Sequence, residues 1–275
     1  MKLYFIGFIT SLFLIYCLSA SAQQNVSSEN DFNLYNTQVK LINSQIVEDT
    51  FHIYISLPDG YDAAEKSYPV LYVLDGDISY GIAASISRYL EIGSNIPELI
   101  VIGIGYGAVD KDAGKKRNRD YRTNDAGGAE NFKKFISEEL IPYIDSNFRT
   151  ITTNRTIAGY SLGGLYALYS LFTQPEVFNK YIIGSPYLLP ANFIIFDYEE
   201  QATSTLGNVN AKIFISVGSE ASEEKYFNPI DELVTIMQDR NHPDLKIETK
   251  VFDGSTHLDG PPEVITHGLI FVFDE

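Results

Sequence analysis

The stretch Thr156-Ile157-Ala158-Gly159-Tyr160-Ser161-Leu162-Gly163-Gly164-Leu165 sets a serine between two glycines, at the junction of an apolar run and a helix-forming segment. It reads as a nucleophile elbow. A buried strand ends abruptly there, one residue turns in a strained conformation, and a helix starts at once, so the hydroxyl stands exposed at the strand's carboxyl end. Gly159 and Gly163 fall where strand and helix backbones nearly touch and a Cβ would collide. The N–H of Leu162, at the positive end of the new helix, then faces any oxyanion formed at Ser161.

An elbow needs a sheet to stand on, and the chain supplies one. Thr37 to Ile42 and Thr50 to Leu57 alternate polar and apolar residues and read as an antiparallel pair, with Gln45 to Val47 open to joining one strand. From Tyr68 onward the pattern changes to continuous apolar runs separated by helical segments. The runs are Tyr68–Leu74, Leu99–Gly105, Thr156–Tyr160, Lys180–Gly184 and Ala211–Val217, and Leu245–Phe252, with charged residues among its apolar ones, reads as the last strand. Helices are expected at about Ser79–Ile92, Ala129–Phe148 with a break near Pro142, Leu162–Phe172, Asp231–Asp239 and Pro261–Phe271. Strand alternating with helix calls for an α/β fold with a mostly parallel central sheet, right-handed crossovers and helices on both faces. Two stretches fit neither pattern. Val109–Arg122, with six Lys and Arg, reads as a solvated loop, the rival being a patch that attracts an anionic ester; Tyr187–Asn210 reads as an irregular lid or cap.

The 275 residues suit one large domain, 34–275, after a polar leader at 23–33. Residues 1–22 carry Lys2, the apolar run Leu3–Leu18 and the small-x-small triplet Ala20-Ser21-Ala22, the composition of a secretory signal peptide. Its removal takes away the only cysteine and places the mature chain in the periplasm or outside the cell. Net charge is −16, and −17 without Lys2, which argues against nucleic acid or an anionic membrane as partner.

A serine hydroxyl needs a base within hydrogen-bond reach, itself oriented by a third group. Of the four histidines, His52 lies in the N-terminal strand pair, His242 before the last strand and His267 in the terminal helix. His257 alone follows the carboxyl end of a strand, where catalytic groups gather in an open parallel sheet. The acid is expected between serine and histidine in the chain; Glu220 is the best placed, with Glu223, Glu224 and Asp253 as alternatives. A second oxyanion donor is expected from the N–H of Asp77, after the strand that ends in Asp75-Gly76. No metal or other cofactor is called for: there is neither a His-Glu-x-x-His helix nor a cysteine cluster.

Tyr68-Pro69-Val70-Leu71-Tyr72-Val73-Leu74-Asp75-Gly76, Arg119-Asp120-Tyr121, the elbow, Ser185-Pro186 and the histidine loop together carry a likeness. The chain resembles the putative-esterase family of α/β-hydrolases, which includes esterase D, the enterochelin esterases and feruloyl or acetyl-xylan esterases. The resemblance implies serine-dependent hydrolysis of a small-molecule carboxylic ester, with Ser161 and His257 in the nucleophile and base positions. The siderophore branch shares the Leu-Asp-Gly and Arg-Asp-Tyr segments. The alternatives are a carbohydrate esterase and a non-catalytic binding module on the same fold. Where many relatives have an aromatic block after Ser-Pro, this chain has Tyr187-Leu188-Leu189 and no tryptophan.

Overall fold

The computed structural model describes residues 34, 36–123, 127–207 and 209–274; the signal peptide and leader expected at 1–33 lie outside them. The alternating runs become β1 (Thr37–Ser44) and β2 (Asp49–Ser56), paired antiparallel with Ser44 opposite Asp49. Residues 45–48 form the turn and extend neither strand, because the Val47 N–H donates to Ser44 Oγ at 2.9 Å and reverses the chain.

The apolar runs become β3 (Tyr68–Val73), β4 (Ile100–Gly105), β5 (Thr150–Tyr160), β6 (Lys180–Gly184), β7 (Ala211–Gly218) and β8 (Leu245–Phe252). They join β1 and β2 in one eight-stranded sheet of order β1-β2-β4-β3-β5-β6-β7-β8. β2 runs antiparallel to β4, and every pairing from β4 to β8 is parallel. This is the expected mixed α/β sheet. Every residue of β3 and β4 is buried, as their uninterrupted apolar character requires of strands covered on both faces.

The connecting helices are α1 (Gly76–Ile92), α2 (Lys111–Tyr121), α3 (Ala129–Lys134), α4 (Ile141–Asn147), α5 (Leu162–Thr173), α6 (Pro190–Phe193), α7 (Ile195–Leu206), α8 (Asn228–Asp239) and α9 (Pro261–Phe273). A π-helical turn, Phe135–Leu140, joins α3 to α4, so the expected break near Pro142 falls just before it. Among the described residues no helix is long and apolar enough to cross a membrane.

Two sequence expectations are corrected. The basic run is the helix α2, not a loop. Asp110 caps it by accepting from the N–H groups of Asp112 and Ala113 at 3.0 and 2.9 Å, and Ala113, Asp120 and Tyr121 are its buried residues. The stretch after Ser185-Pro186 is α6 and α7, and Ile195, Ala202 and Leu206 of α7 lie in the main hydrophobic core. A segment so anchored is part of the body of the domain, not an irregular lid.

Candidate active site

β5 delivers Ser161 to the carboxyl edge of the sheet. The serine has φ 57° and ψ −117°, a left-handed backbone for a residue with a Cβ. The strain is held by three hydrogen bonds: its N–H donates to the Gly184 carbonyl at 2.9 Å, while its own carbonyl accepts from Leu165 at 3.1 Å and Tyr187 at 3.0 Å. Gly159 has to be a glycine, because a Cβ there would overlap the Gly163 carbonyl as α5 folds back on β5. Leu162 is the first residue of α5 and Asp77 the second of α1, so neither N–H has an acceptor within its own helix.

The histidine arrives from the far end of the sheet. After β8 the chain turns at Gly254 (φ 73°) and is tied to the loop after β7: Gly254 N–H donates to Ser219 Oγ at 2.8 Å, and Glu220 N–H to the Ser255 carbonyl at 3.0 Å. Ser255 Oγ donates to Glu263 of α9 at 2.7 Å, and the Thr256 N–H to Asp259 at 2.7 Å. So braced, the loop sets His257 Nε2 3.0 Å from Ser161 Oγ, although 96 residues separate them in sequence. Burial, and then the nearby positive charge of Arg117, hold the imidazole below its ordinary pKa. It is therefore neutral near pH 7, the form that accepts a proton.

The family model described as "Putative esterase" matches residues 44–258. The chain belongs to that family. The esterase is similar to the ferri-bacillibactin esterase BesA of Bacillus subtilis, 27% identical over 90% of this chain and 93% of that one. It is similar also to a siderophore enterobactin esterase of Emericella nidulans, 31% identical over 46% of this chain and 48% of that one. Among solved structures, the BES protein from Bacillus cereus superposes with a TM-score of 0.82 at 28% identity, over 90% of the esterase and all of that chain. The esterase is a carboxylic ester hydrolase of the α/β-hydrolase fold.

Among the described residues no carboxylate is hydrogen-bonded to the imidazole, against the expectation for Glu220 and its alternatives. Glu220 is exposed, and what it gives the site is the main-chain tether just described; Glu223, Glu224 and Asp253 are exposed too. His257 Nδ1 is buried and has no protein hydrogen-bond partner among the described residues. The physical reason lies in the loop. The Glu220 N–H is drawn to the Ser255 carbonyl at 3.0 Å, and its side chain stays exposed.

Two tyrosines lie against the ring instead. Tyr226 stacks on it with centroids 4.2 Å apart and planes at 25°, and its hydroxyl lies 3.2 Å from Nε2; Tyr160 lies 5.3 Å away at 41°. Tyr160 was legible as the variable residue of the elbow. Tyr226, one of 19 tyrosines and in a π-helical turn at Glu223–Phe227, carried no signal.

The basic run also reaches the site, through Arg117. Its Nε and Nη2 grip both oxygens of Asp75 at 2.6 and 2.9 Å, and Nη2 lies 3.4 Å from the Tyr160 carbonyl. Its neighbours are spent elsewhere: Lys116 and Arg119 bind Asp49, and Arg119 also binds the fully buried Asp120. A helix whose cations are paired in this way builds structure and leaves little charge to attract an anion. The Asp77 carboxylate accepts from Tyr54 Oη and from the N–H groups of Tyr106 and Gly107, at 2.6, 2.6 and 2.8 Å. These bonds fix the start of α1 against the end of β4, beside a cavity of about 150 Å³ lined by Ile78, Val109 and Arg117 among others.

Proposed function

We propose that the protein is a serine esterase that cleaves siderophore-type carboxylic esters through an acyl-enzyme on Ser161. The observation that carries the proposal is the 3.0 Å approach of His257 Nε2 to Ser161 Oγ at a strained elbow. His257 takes the hydroxyl proton as Ser161 Oγ bonds to the ester carbonyl carbon, and the carbonyl electron pair moves onto oxygen. The N–H groups of Leu162 and Asp77, unused by their helices, receive that oxyanion. As the intermediate collapses, the imidazolium gives its proton to the departing alcohol. A water molecule, deprotonated by the same imidazole, then repeats the sequence and frees the acid and Ser161.

The siderophore substrate class rests on what the similar proteins are named for, a ferri-bacillibactin and an enterobactin esterase. The exposed apolar residues Ile78 and Leu258, next in sequence to Asp77 and His257, suit an aromatic acyl or alcohol group at the mouth of the site. Export is part of the proposal on the composition of residues 1–22 alone, and N-terminal sequencing of the mature protein tests it.

Ser161→Ala should leave a folded protein, checked by circular dichroism, whose hydrolysis of an aryl ester falls by at least about a thousandfold. Turnover within tenfold of the parent would end the proposal. A panel of catecholate lactone, feruloyl and acetyl esters ranks the substrate classes by kcat/KM, and a preference for feruloyl or acetyl sugars would replace the siderophore reading with that of a carbohydrate esterase.

A further inference from the structure

In a serine–histidine–carboxylate triad the acid has two duties: it fixes the orientation of the imidazole, and it stabilises the imidazolium that forms in the transition state. Here the nitrogen that would face such an acid, His257 Nδ1, is buried without a protein partner among the described residues, yet the ring points accurately at Ser161. Something else holds it. The Tyr226 ring stacks on it at 4.2 Å and 25°, with the hydroxyl 3.2 Å from Nε2, and the tilted Tyr160 ring lies at 5.3 Å.

We propose that Tyr226 is a positioning residue of this site, its ring doing both jobs of the absent carboxylate: stacking fixes the imidazole plane, and the electron-rich face stabilises the imidazolium. The inference rests on the serine-esterase reading above and goes beyond it by assigning the histidine's support. Aromatic faces attract a cation within about 6 Å of the centroid, and the attraction grows when water is excluded. The Tyr226–His257 separation lies well inside that range.

Tyr226 is itself braced. It lies within the π-helical turn Glu223–Phe227, a rare element that is often found at functional sites. Its N–H donates to the Ser222 carbonyl at 2.9 Å, and its ring meets that of Tyr187, whose N–H in turn donates to the Ser161 carbonyl at 3.0 Å. The elbow, Tyr187, Tyr226 and His257 thus form a closed circuit of contacts. A displaced Tyr226 would free the imidazole to rotate about a bond that no carboxylate among the described residues restrains. The charged and titratable groups around the ring are Arg117 of α2, Tyr160 at the end of β5 and Tyr226 after β7, and Asp259 on the histidine's own loop acts on Tyr160.

The test compares two substitutions that separate ring from hydroxyl. Tyr226→Phe keeps the ring, and kcat should stay within about threefold of the parent. Tyr226→Leu keeps apolar volume but no π face, and kcat should fall by roughly tenfold to a hundredfold with KM little changed, as expected when a cation–π and stacking contact is lost from the transition state. Because the leucine variant stabilises the imidazolium less, the acid limb of its kcat/KM profile should move to lower pH. Its rate of labelling by a fluorophosphonate should fall in parallel.

A leucine variant that keeps kcat within threefold overturns the proposal. So does a phenylalanine variant that loses as much as leucine, since the hydroxyl would then be the active part. Both variants are read beside Ser161→Ala. If that substitution fails to abolish turnover, the esterase reading itself has failed; if it abolishes turnover and the leucine variant is normal, only the role of Tyr226 has.

Discussion

The two ends of the sheet both carry ionisable groups displaced from their ordinary pKa values. At the amino ends, burial pushes Lys180 down to about 8 and Glu91 up to about 7, beside an open cleft of about 980 Å³. At the carboxyl ends, burial and Arg117 lower His257. Perturbation alone therefore does not mark the chemistry. The difference is what the backbone brings to each end. Parallel strands followed by helices send helix starts to the carboxyl end, so the first turns that hold Leu162 and Asp77, and the strained Ser161, all lie at that end. Helix ends point the other way and expose carbonyls, which suit cations, as where Lys212 donates to the Asp274 carbonyl just past α9; Lys180 donates instead to the side-chain oxygen Asn154 Oδ1 of β5 at 2.7 Å.

The comparison is broken most directly by activity. His257→Ala should lower kcat/KM on an aryl ester by on the order of a thousandfold or more, and Lys180→Met should leave it within twofold. A comparable fall in the lysine variant would place chemistry at the wrong end of the sheet.

Arg117 sharpens it next. Its bidentate pair with Asp75, a carboxylate only 8% exposed, ties α2 to the end of β3. Arg117→Met leaves that carboxylate buried and unpaired, and should cost about 3 kcal/mol in urea unfolding. The same substitution removes the positive charge that depresses His257, so the acid limb of kcat/KM, which should lie below the ordinary histidine value of about 6.5, should move up. A stable variant with an unmoved limb would show that the arginine serves neither purpose.

How much of this could be read in the chain follows from where each signal is local. β6 and β8 match their expected bounds because turn residues close both segments, and Ser161 and His257, singled out because an elbow and a strand end are local patterns, lie 3.0 Å apart. Helix α2 was missed because it lacks an apolar stripe: ion pairs to Asp49 and Asp75, residues distant in sequence, hold it. Its legible sign was the capping Asp110. Glu220 was chosen by its order in the chain, a rule that presumes a triad; nothing local reveals that its backbone, not its carboxylate, would be used. Tyr226 was invisible because an aromatic contact between distant segments leaves no spacing to read.

That distinction gives a smaller prediction. Glu220→Gln should change kcat/KM by less than about threefold, because the carboxylate is exposed and only the main-chain N–H braces the histidine loop. In enzymes whose acid grips the imidazole, the equivalent change costs on the order of ten thousandfold. A loss of that size here would mean that Glu220 swings onto Nδ1 during turnover.

The smallest effect tests the amino end on its own terms. Lys180 is half-buried with no carboxylate partner in the described structure, held by Asn154 and lying 5.2 Å from the Phe273 ring centroid. Its folded pKa of about 8 is below the unfolded value of about 10.4, so below pH 8 the native state bears the full cost of burying an ammonium. Between those values the unfolded chain binds a proton that the native state has released, and stability rises with pH. Lys180→Met lacks that dependence. Its melting temperature should exceed the parent's by a few degrees at pH 7, and the gap should narrow as pH is raised from 8 toward 10. A gap that stays constant would mean that the ammonium is not penalised, and that the cleft at the amino ends is wetter and better suited to charge than its buried lysine implies.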